Sequence, residues 1–137
     1  MADLVFVYGT LTDDAQVDTL LDSYRFVGDA VCVGFKRVDG RYPTLVPGES
    51  VTGRLLETDE IDRLDRYEGV DRGLYDRVSI SLASSLAASL SASTADVYLA
   101  APTAIELGSL DEYWPGEGAF ADRVDRQLPT THIERVS

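Results

Sequence analysis

Leu4-Val5-Phe6-Val7-Tyr8-Gly9-Thr10-Leu11-Thr12-Asp13-Asp14 sets how this chain begins to fold. The apolar run Leu4 to Tyr8 reads as a buried strand, and Gly9 breaks it. Thr12 is placed to cap a helix, Asp13 and Asp14 suit its positive N-terminal end, and Val17, Leu20, Leu21 and Tyr24 recur at helical spacing. The unit is strand, tight turn, helix. Tyr8-Gly9-Thr10-Leu11 therefore leads towards a helix N-terminus, where several backbone N–H groups lack intrahelical partners. Such a turn can hold a carboxylate or a developing oxyanion without a basic side chain. The same glycine could equally serve as a plain tight connection.

Downstream, Val31 to Val38 predicts a second strand, and Tyr42 to Val46 a short third one ending at a Pro47-Gly48 turn. Val51, Gly53 and Leu55 fall on alternate positions of a fourth. A helix is expected from about Asp59 to Glu68, stopped by Gly69. Tyr75 to Leu82 alternates in strand fashion, with Arg77, Ser79 and Ser81 on its more polar side. The Ala-, Ser- and Leu-rich stretch Ala83 to Ser93 is expected as a surface loop or hairpin extension. Asp96 to Ala101 closes the strands before Pro102. The tail from Thr103 carries a short helix, a Trp114-Pro115-Gly116 turn and an irregular end. Strands outnumber helices and are unevenly interleaved with them, so the pattern predicts a mixed α/β (α+β) fold rather than a doubly wound one. We expect one domain over 1–137, built as a small β-barrel or strongly curved mixed sheet with attached helices.

Few chemistries fit the residues available. His132 is the only histidine and no Gly-x-Ser-x-Gly elbow occurs, which argues against Ser-His-Asp catalysis. Cys32 is the only cysteine, so neither an intrachain disulfide nor a Cys-built zinc site can form, and its alternation with Val31 and Val33 suggests a packed strand position. No EF-hand loop is present, and no metal or cofactor is expected. Glu68 stands apart. In a helix from Asp59, Ile61, Leu64 and Glu68 share one stripe, which would turn the carboxylate inward at the helix C-terminus. Burial and the helix dipole would then both raise its pKa and make it a better base. A frayed last turn would instead leave Glu68 in solvent.

Taken in order, Val7-Tyr8-Gly9-Thr10-Leu11, Tyr42-Pro43, Val51-x-Gly53-x-Leu55, Leu64-Asp65-x-Tyr67-Glu68-Gly69 and Tyr75-x-Arg77 resemble the gamma-glutamylcyclotransferase-like superfamily. The similarity runs from about Leu4 to Tyr98. The resemblance implies a β-barrel with a cavity between barrel and helices. It also implies that Glu68 is the catalytic base, taking a proton from the α-amino group of a gamma-glutamyl substrate whose nitrogen attacks its own gamma-carbonyl. The products would be 5-oxoproline and a free amine or amino acid, with no cofactor. By the same carry-over the backbone of Tyr8, Gly9, Thr10 and Leu11 would bind the substrate's α-carboxylate or carbonyl oxygen, and the Tyr75 hydroxyl would border the pocket. Arg77 would pair with an acidic neighbour in preference to turning towards the substrate. The glutathione-pathway branch carries Ser-Asn after the glycine, where this chain has Thr10-Leu11. A binding or regulatory module that keeps the pocket without turnover is the alternative from another class.

Charge bears on setting and partners. The chain has 24 acidic residues against 12 basic ones, a net charge of −12, and Lys36 is its only lysine. The acids are dispersed rather than blocked, which argues against a nucleic-acid mimic, and the sign argues against nucleic-acid binding. No apolar run approaches the roughly 20 residues that span a bilayer, and Asp3 interrupts any signal-peptide core, so a cytoplasmic location is expected. A dense acidic surface nearly free of lysine suits a halophilic, salt-accumulating cell, where charge repulsion is screened. Circular dichroism is therefore expected to show native structure in molar potassium chloride and its loss in dilute buffer; a full native spectrum without salt would overturn the halophilic reading.

Overall fold

In a computed structural model describing residues 2–136, the opening apolar run forms β1 (Asp3–Val7) in the middle of a mixed sheet. The other strands are β2 (Arg25–Asp39), β3 (Pro43–Thr58), β4 (Asp76–Ser81), β5 (Thr94–Leu99) and β6 (His132–Arg135), in the order β4-β5-β1-β3-β2-β6. β1 runs antiparallel to β3 and parallel to β5. Its side chains alternate between two apolar layers. Leu4 and Phe6 join a core with Phe35, Leu45, Leu55 and Trp114, whereas Val5 and Val7 face Leu11, Val17, Leu56 and Leu64. Because both faces are covered, the strand is apolar throughout instead of alternating with polar residues.

β2 and β3 span 15 and 16 residues, about three times an ordinary strand. Register shifts at Phe26/Gly28 and Val33/Phe35 bend this ribbon, and the sheet curls into a strongly curved half-barrel. Its two edges meet where Leu82 bridges Ile133 and the Ala83 N–H donates to the Ile133 carbonyl at 2.8 Å. The mixed fold and curved sheet agree with the sequence expectation. No described helix is long and apolar enough to cross a membrane.

Four local expectations are corrected. The expected third and fourth strands are one continuous β3. Pro47 pairs with Phe35 at the second register shift, where a missing N–H is tolerated, so Pro47-Gly48 kinks a strand rather than reversing the chain. The cap of α1 (Asp14–Leu20) is Asp13, whose carboxylate accepts from the Ala15 N–H at 3.0 Å. The Thr12 hydroxyl instead donates back to the Gly9 carbonyl at 2.7 Å, closing a 3-10 turn over Thr10–Thr12. Ala83 to Ser93 is largely helical as α3 (Ser84–Leu90), because Leu82, Leu86 and Leu90 recur every fourth residue and give it a buried edge. The irregular tail is in fact ordered into α4 (Leu110–Tyr113), α5 (Phe120–Gln127) and β6, which pairs with β2 and places His132 opposite Val33. Cys32 is fully buried in β2, and Trp114 is wedged between Phe35 and Phe120 at ring distances of 5.8 and 5.4 Å.

Gly53 fixes how closely β3 approaches β1. A Cβ built there would stand 2.2 Å from the Val7 carbonyl oxygen and 2.8 Å from the Phe6 ring. The oxygen belongs to the backbone of a central strand and has nowhere to go. Gly53→Ala is expected to destabilise the fold by about 1–3 kcal/mol, the usual penalty of overpacking, read as a lowered midpoint of urea unfolding. A wild-type midpoint would show that the two strands separate without cost.

Candidate active site

A cavity of about 380 Å³ opens where β1 ends and α2 (Ile61–Glu68) reaches its C-terminus. One wall is the segment Tyr8 to Leu11, another carries Glu68, Tyr75 and Tyr98, and Tyr42, Tyr67, Arg72 and Leu74 are also among the lining residues. The structure thus brings all six residues singled out from sequence, Tyr8, Gly9, Thr10, Leu11, Glu68 and Tyr75, to one pocket. Their chemical roles are a separate matter from their placement.

Glu68 is the last residue of α2. Gly69, with φ 75°, ends the helix in the left-handed conformation and donates its N–H to the carbonyls of Asp65 and Arg66. This cap suppresses fraying, so Glu68 stays on the stripe of Ile61 and Leu64 that packs beneath the sheet's outer layer. It is the only carboxylate lining the cavity, and among the described residues no cation lies within ion-pair distance of it. Loss of solvation pushes its pKa up to about 7 from the ordinary 4.5.

Three phenols surround it, and each is spent elsewhere. Tyr8 donates to the Tyr98 carbonyl at 2.5 Å, Tyr75 donates to the Pro43 carbonyl, and Tyr98 donates to Asp65 Oδ1 at 2.7 Å. Burial raises the pKa values of Tyr8 and Tyr75, followed for Tyr8 by the neighbouring Tyr75 and then Glu68, and for Tyr75 by Glu68, so both stay protonated at neutral pH. Tyr98 is raised by burial and by its bond to Asp65.

The glycine turn presents backbone donors. The N–H groups of Thr12 and Asp13 close the 3-10 turn onto Gly9 and Thr10, while those of Thr10 and Leu11 have no acceptor among the described residues. These donors belong to the 3-10 turn, which separates Gly9 from α1; the sequence reading had assigned them to the helix start. The Leu11 side chain is buried in the cluster with Val17 of α1. Arg37 Nη1 donates to the Tyr8 carbonyl at 2.7 Å and steadies the turn from outside.

Arg77 does not reach the cavity. It forks onto Asp65 at 2.8 and 3.1 Å and reaches Asp96 at 2.9 Å, tying α2 to β4 and β5. The sequence favours an acidic partner for Arg77 over the substrate, and the structure agrees. Sequence reasoning gave no site role to Tyr42, Tyr67, Tyr98 or Arg72. Tyr42 and Tyr67 stand inside the recognised motifs and could have been found there. Arg72 carried no signal, because its position follows from the turn after Gly69.

Comparison with known proteins places these features in a family. Residues 5–117 match the model of the family described as gamma-glutamyl cyclotransferase, AIG2-like. AIG2-like protein A of Arabidopsis thaliana is 36% identical over 86 residues, covering 57% of this chain and 50% of that protein, so the match spans about half the length of the curated relative. A solved gamma-glutamyl cyclotransferase superposes with a TM-score of 0.61 at 19% identity, covering 73% of this chain and 67% of the other. The solution structure of an Arabidopsis thaliana protein gives a TM-score of 0.57 at 26% identity, over 94% and 85% of the two chains.

The raised pKa of Glu68 has a thermodynamic sign. Between about 4.5 and about 7 the folded chain holds the proton more tightly than the unfolded chain does. The associated stability is full below the unfolded value and is lost as pH rises through about 7. Glu68→Gln removes the charge and keeps the shape. It is expected to melt with the wild type near pH 5 and above it at pH 8; a mutant no more stable than wild type at pH 8 would mean that Glu68 is solvated.

Proposed function

This chain belongs to the gamma-glutamyl cyclotransferase, AIG2-like family, and from that premise we propose that it is a gamma-glutamyl cyclotransferase-type enzyme, with Glu68 as its base. The observation that carries the reading is the half-buried carboxylate of Glu68, with its pKa near 7 and no ion-pair partner among the described residues, sharing a cavity with a turn whose Thr10 and Leu11 N–H groups have no acceptor among them. The substrate is a small molecule whose gamma-glutamyl group carries a free α-amine.

Glu68 takes a proton from that amine, and the nitrogen attacks the gamma-carbonyl carbon of the same molecule. A five-membered ring closes as the new C–N bond forms. The tetrahedral intermediate collapses with loss of the original amide C–N bond, and Glu68 returns its proton to the departing nitrogen. Atoms and protons balance, giving 5-oxoproline and an amine or amino acid. The reaction is intramolecular, so the site's work is to hold a folded substrate, move one proton and stabilise one oxyanion. The N–H groups of Thr10 and Leu11 supply fixed donors for the α-carboxylate or the carbonyl oxygen. Tyr8 on the same wall and Tyr75 on the wall that carries Glu68, each held by its own hydrogen bond, shape the pocket between them. We place the reaction in the cytoplasm of a salt-accumulating cell, in keeping with the acidic surface.

The test is 5-oxoproline release from a panel of gamma-glutamyl compounds in molar potassium chloride. Wild-type kcat/KM is expected to rise with pH through about 7, as Glu68 loses its proton, and then to level. Glu68→Gln should lose about 10²–10⁴-fold in kcat while still folding, the usual contribution of a positioned base. Retained activity in the mutant sinks the assignment. Binding without turnover by any compound would make the chain a binding module.

A further inference from the structure

The cavity is lined by one carboxylate and one cation, Glu68 and Arg72. Arg72 ends the short 3-10 turn Val70–Arg72, which lies between two left-handed glycines, Gly69 at φ 75° and Gly73 at φ 73°. Its backbone N–H donates to the Gly69 carbonyl at 3.0 Å, so the turn is closed directly onto the end of α2. The guanidinium folds back over Gly69: a Cβ on that glycine would stand 2.9 Å from Nη2 and 3.3 Å from Nε. The glycine after Glu68 therefore does two things, ending the helix and leaving room for the Arg72 head group.

In a chain with 24 acidic residues, Arg72 has no carboxylate within ion-pair distance among the described residues, and its side chain makes no hydrogen bond among them. Most of the other arginines are paired: Arg37 with Asp39, Arg41 with Glu106, Arg77 with Asp65 and Asp96. A guanidinium left open beside the proposed base presents a forked donor suited to a carboxylate from the ligand. The rim next to it is aromatic. Tyr42 and Tyr67 line the same cavity while 42% and 38% exposed, and two such exposed rings on one pocket mouth offer an apolar face to a ligand side chain.

Resting on the cyclisation reading above, we propose that Arg72 selects the leaving group: it binds the α-carboxylate of the released residue, so the preferred substrates are gamma-glutamyl amino acids with an apolar or aromatic side chain. Simple gamma-glutamyl amines are the poorer class. The chemistry fits the spacing. Glu68 must return its proton to the departing nitrogen, and in an α-amino acid the carboxylate is only two bonds from that nitrogen. The group beside Glu68 that would meet it is Arg72. The side chain of the leaving residue then lies against Tyr67, Tyr42 and Leu74.

The matched pair gamma-glutamylphenylalanine and gamma-glutamylphenethylamine differs only in that carboxylate. Wild type is expected to favour the first by about ten- to a hundredfold in kcat/KM, the range of a charge-assisted hydrogen-bonded pair. Arg72→Gln should bring the ratio close to one, and Arg72→Lys should keep part of it. A wild-type ratio near one, an unchanged ratio in Arg72→Gln, or an equal loss on both compounds overturns the proposal. Should neither compound be turned over, the cyclisation reading fails separately. The same comparison is then made as Kd by calorimetry on wild type and Arg72→Gln: a preference for the carboxylate lost in the variant upholds the role of Arg72, and equal Kd values end it.

Discussion

Asp65 and Glu68 lie one helical turn apart, and the site depends on how differently their charges are treated. Asp65 is satisfied three times over, by the Nε and Nη2 of Arg77 and by the Tyr98 hydroxyl. Arg77 is in turn shared with Asp96, whose other oxygen accepts from Ser79. The network is only partly exposed and joins α2 to β4 and β5, so it holds better than the isolated surface pairs elsewhere on the molecule. Glu68 receives nothing comparable. Fastening the helix through one carboxylate lets the other sit desolvated and unpaired, a state that would not persist on a loosely held helix.

Tyr98 links that anchor to the opposite wall. Its hydroxyl reaches Asp65, and its carbonyl accepts from the Tyr8 hydroxyl, so the end of β1 and the end of α2 are set relative to one another through a single residue of β5. β1 is held from the other side by the close approach of Gly53. The segment Tyr8 to Leu11 thus emerges from a strand clamped between two neighbours, and the free N–H groups of Thr10 and Leu11 are offered by a backbone with little freedom to move. Donors of this kind need no reorganisation when a charge arrives.

How much of this could be read from the sequence varied with the range of the interaction. β1, the helix ending at Glu68-Gly69 and the inward stripe of Ile61, Leu64 and Glu68 were legible, because each is written in spacings of two, three or four residues. The motif set carried the family and gathered the pocket's Tyr8 to Leu11, Glu68 and Tyr75. The long ribbon was not legible: Pro47-Gly48 has the composition of a turn, and only the bulge in β3 beside it, where Gly48 and Glu49 stand opposite Gly34, shows that the strand continues. α3 was hidden by small residues, although Leu82, Leu86 and Leu90 carried its period. β6 has no strong local signal and exists through its pairing with β2. Arg72 and Tyr98 enter the site through tertiary placement, which no local pattern encodes.

The acidic surface and the proposed site would make opposite demands, which molar salt would reconcile. A net charge of −12 repels an anionic ligand over a Debye length, and a gamma-glutamyl amino acid would carry two carboxylates. At about 1 M salt that length shrinks to about 3 Å, so the surface no longer opposes approach. What remains effective are contacts made at hydrogen-bond range. The backbone donors of the glycine turn and the forked guanidinium of Arg72, in their proposed roles, would act at that range, and the elevated pKa of Glu68 comes from burial rather than from distant charges. Surface ion pairs such as Arg37–Asp39 and Arg41–Glu106 would lose most of their small value under the same conditions. On the proposed reading, a pocket of short-range donors and one desolvated base would keep working at a salt concentration at which a site built on long-range attraction would fail.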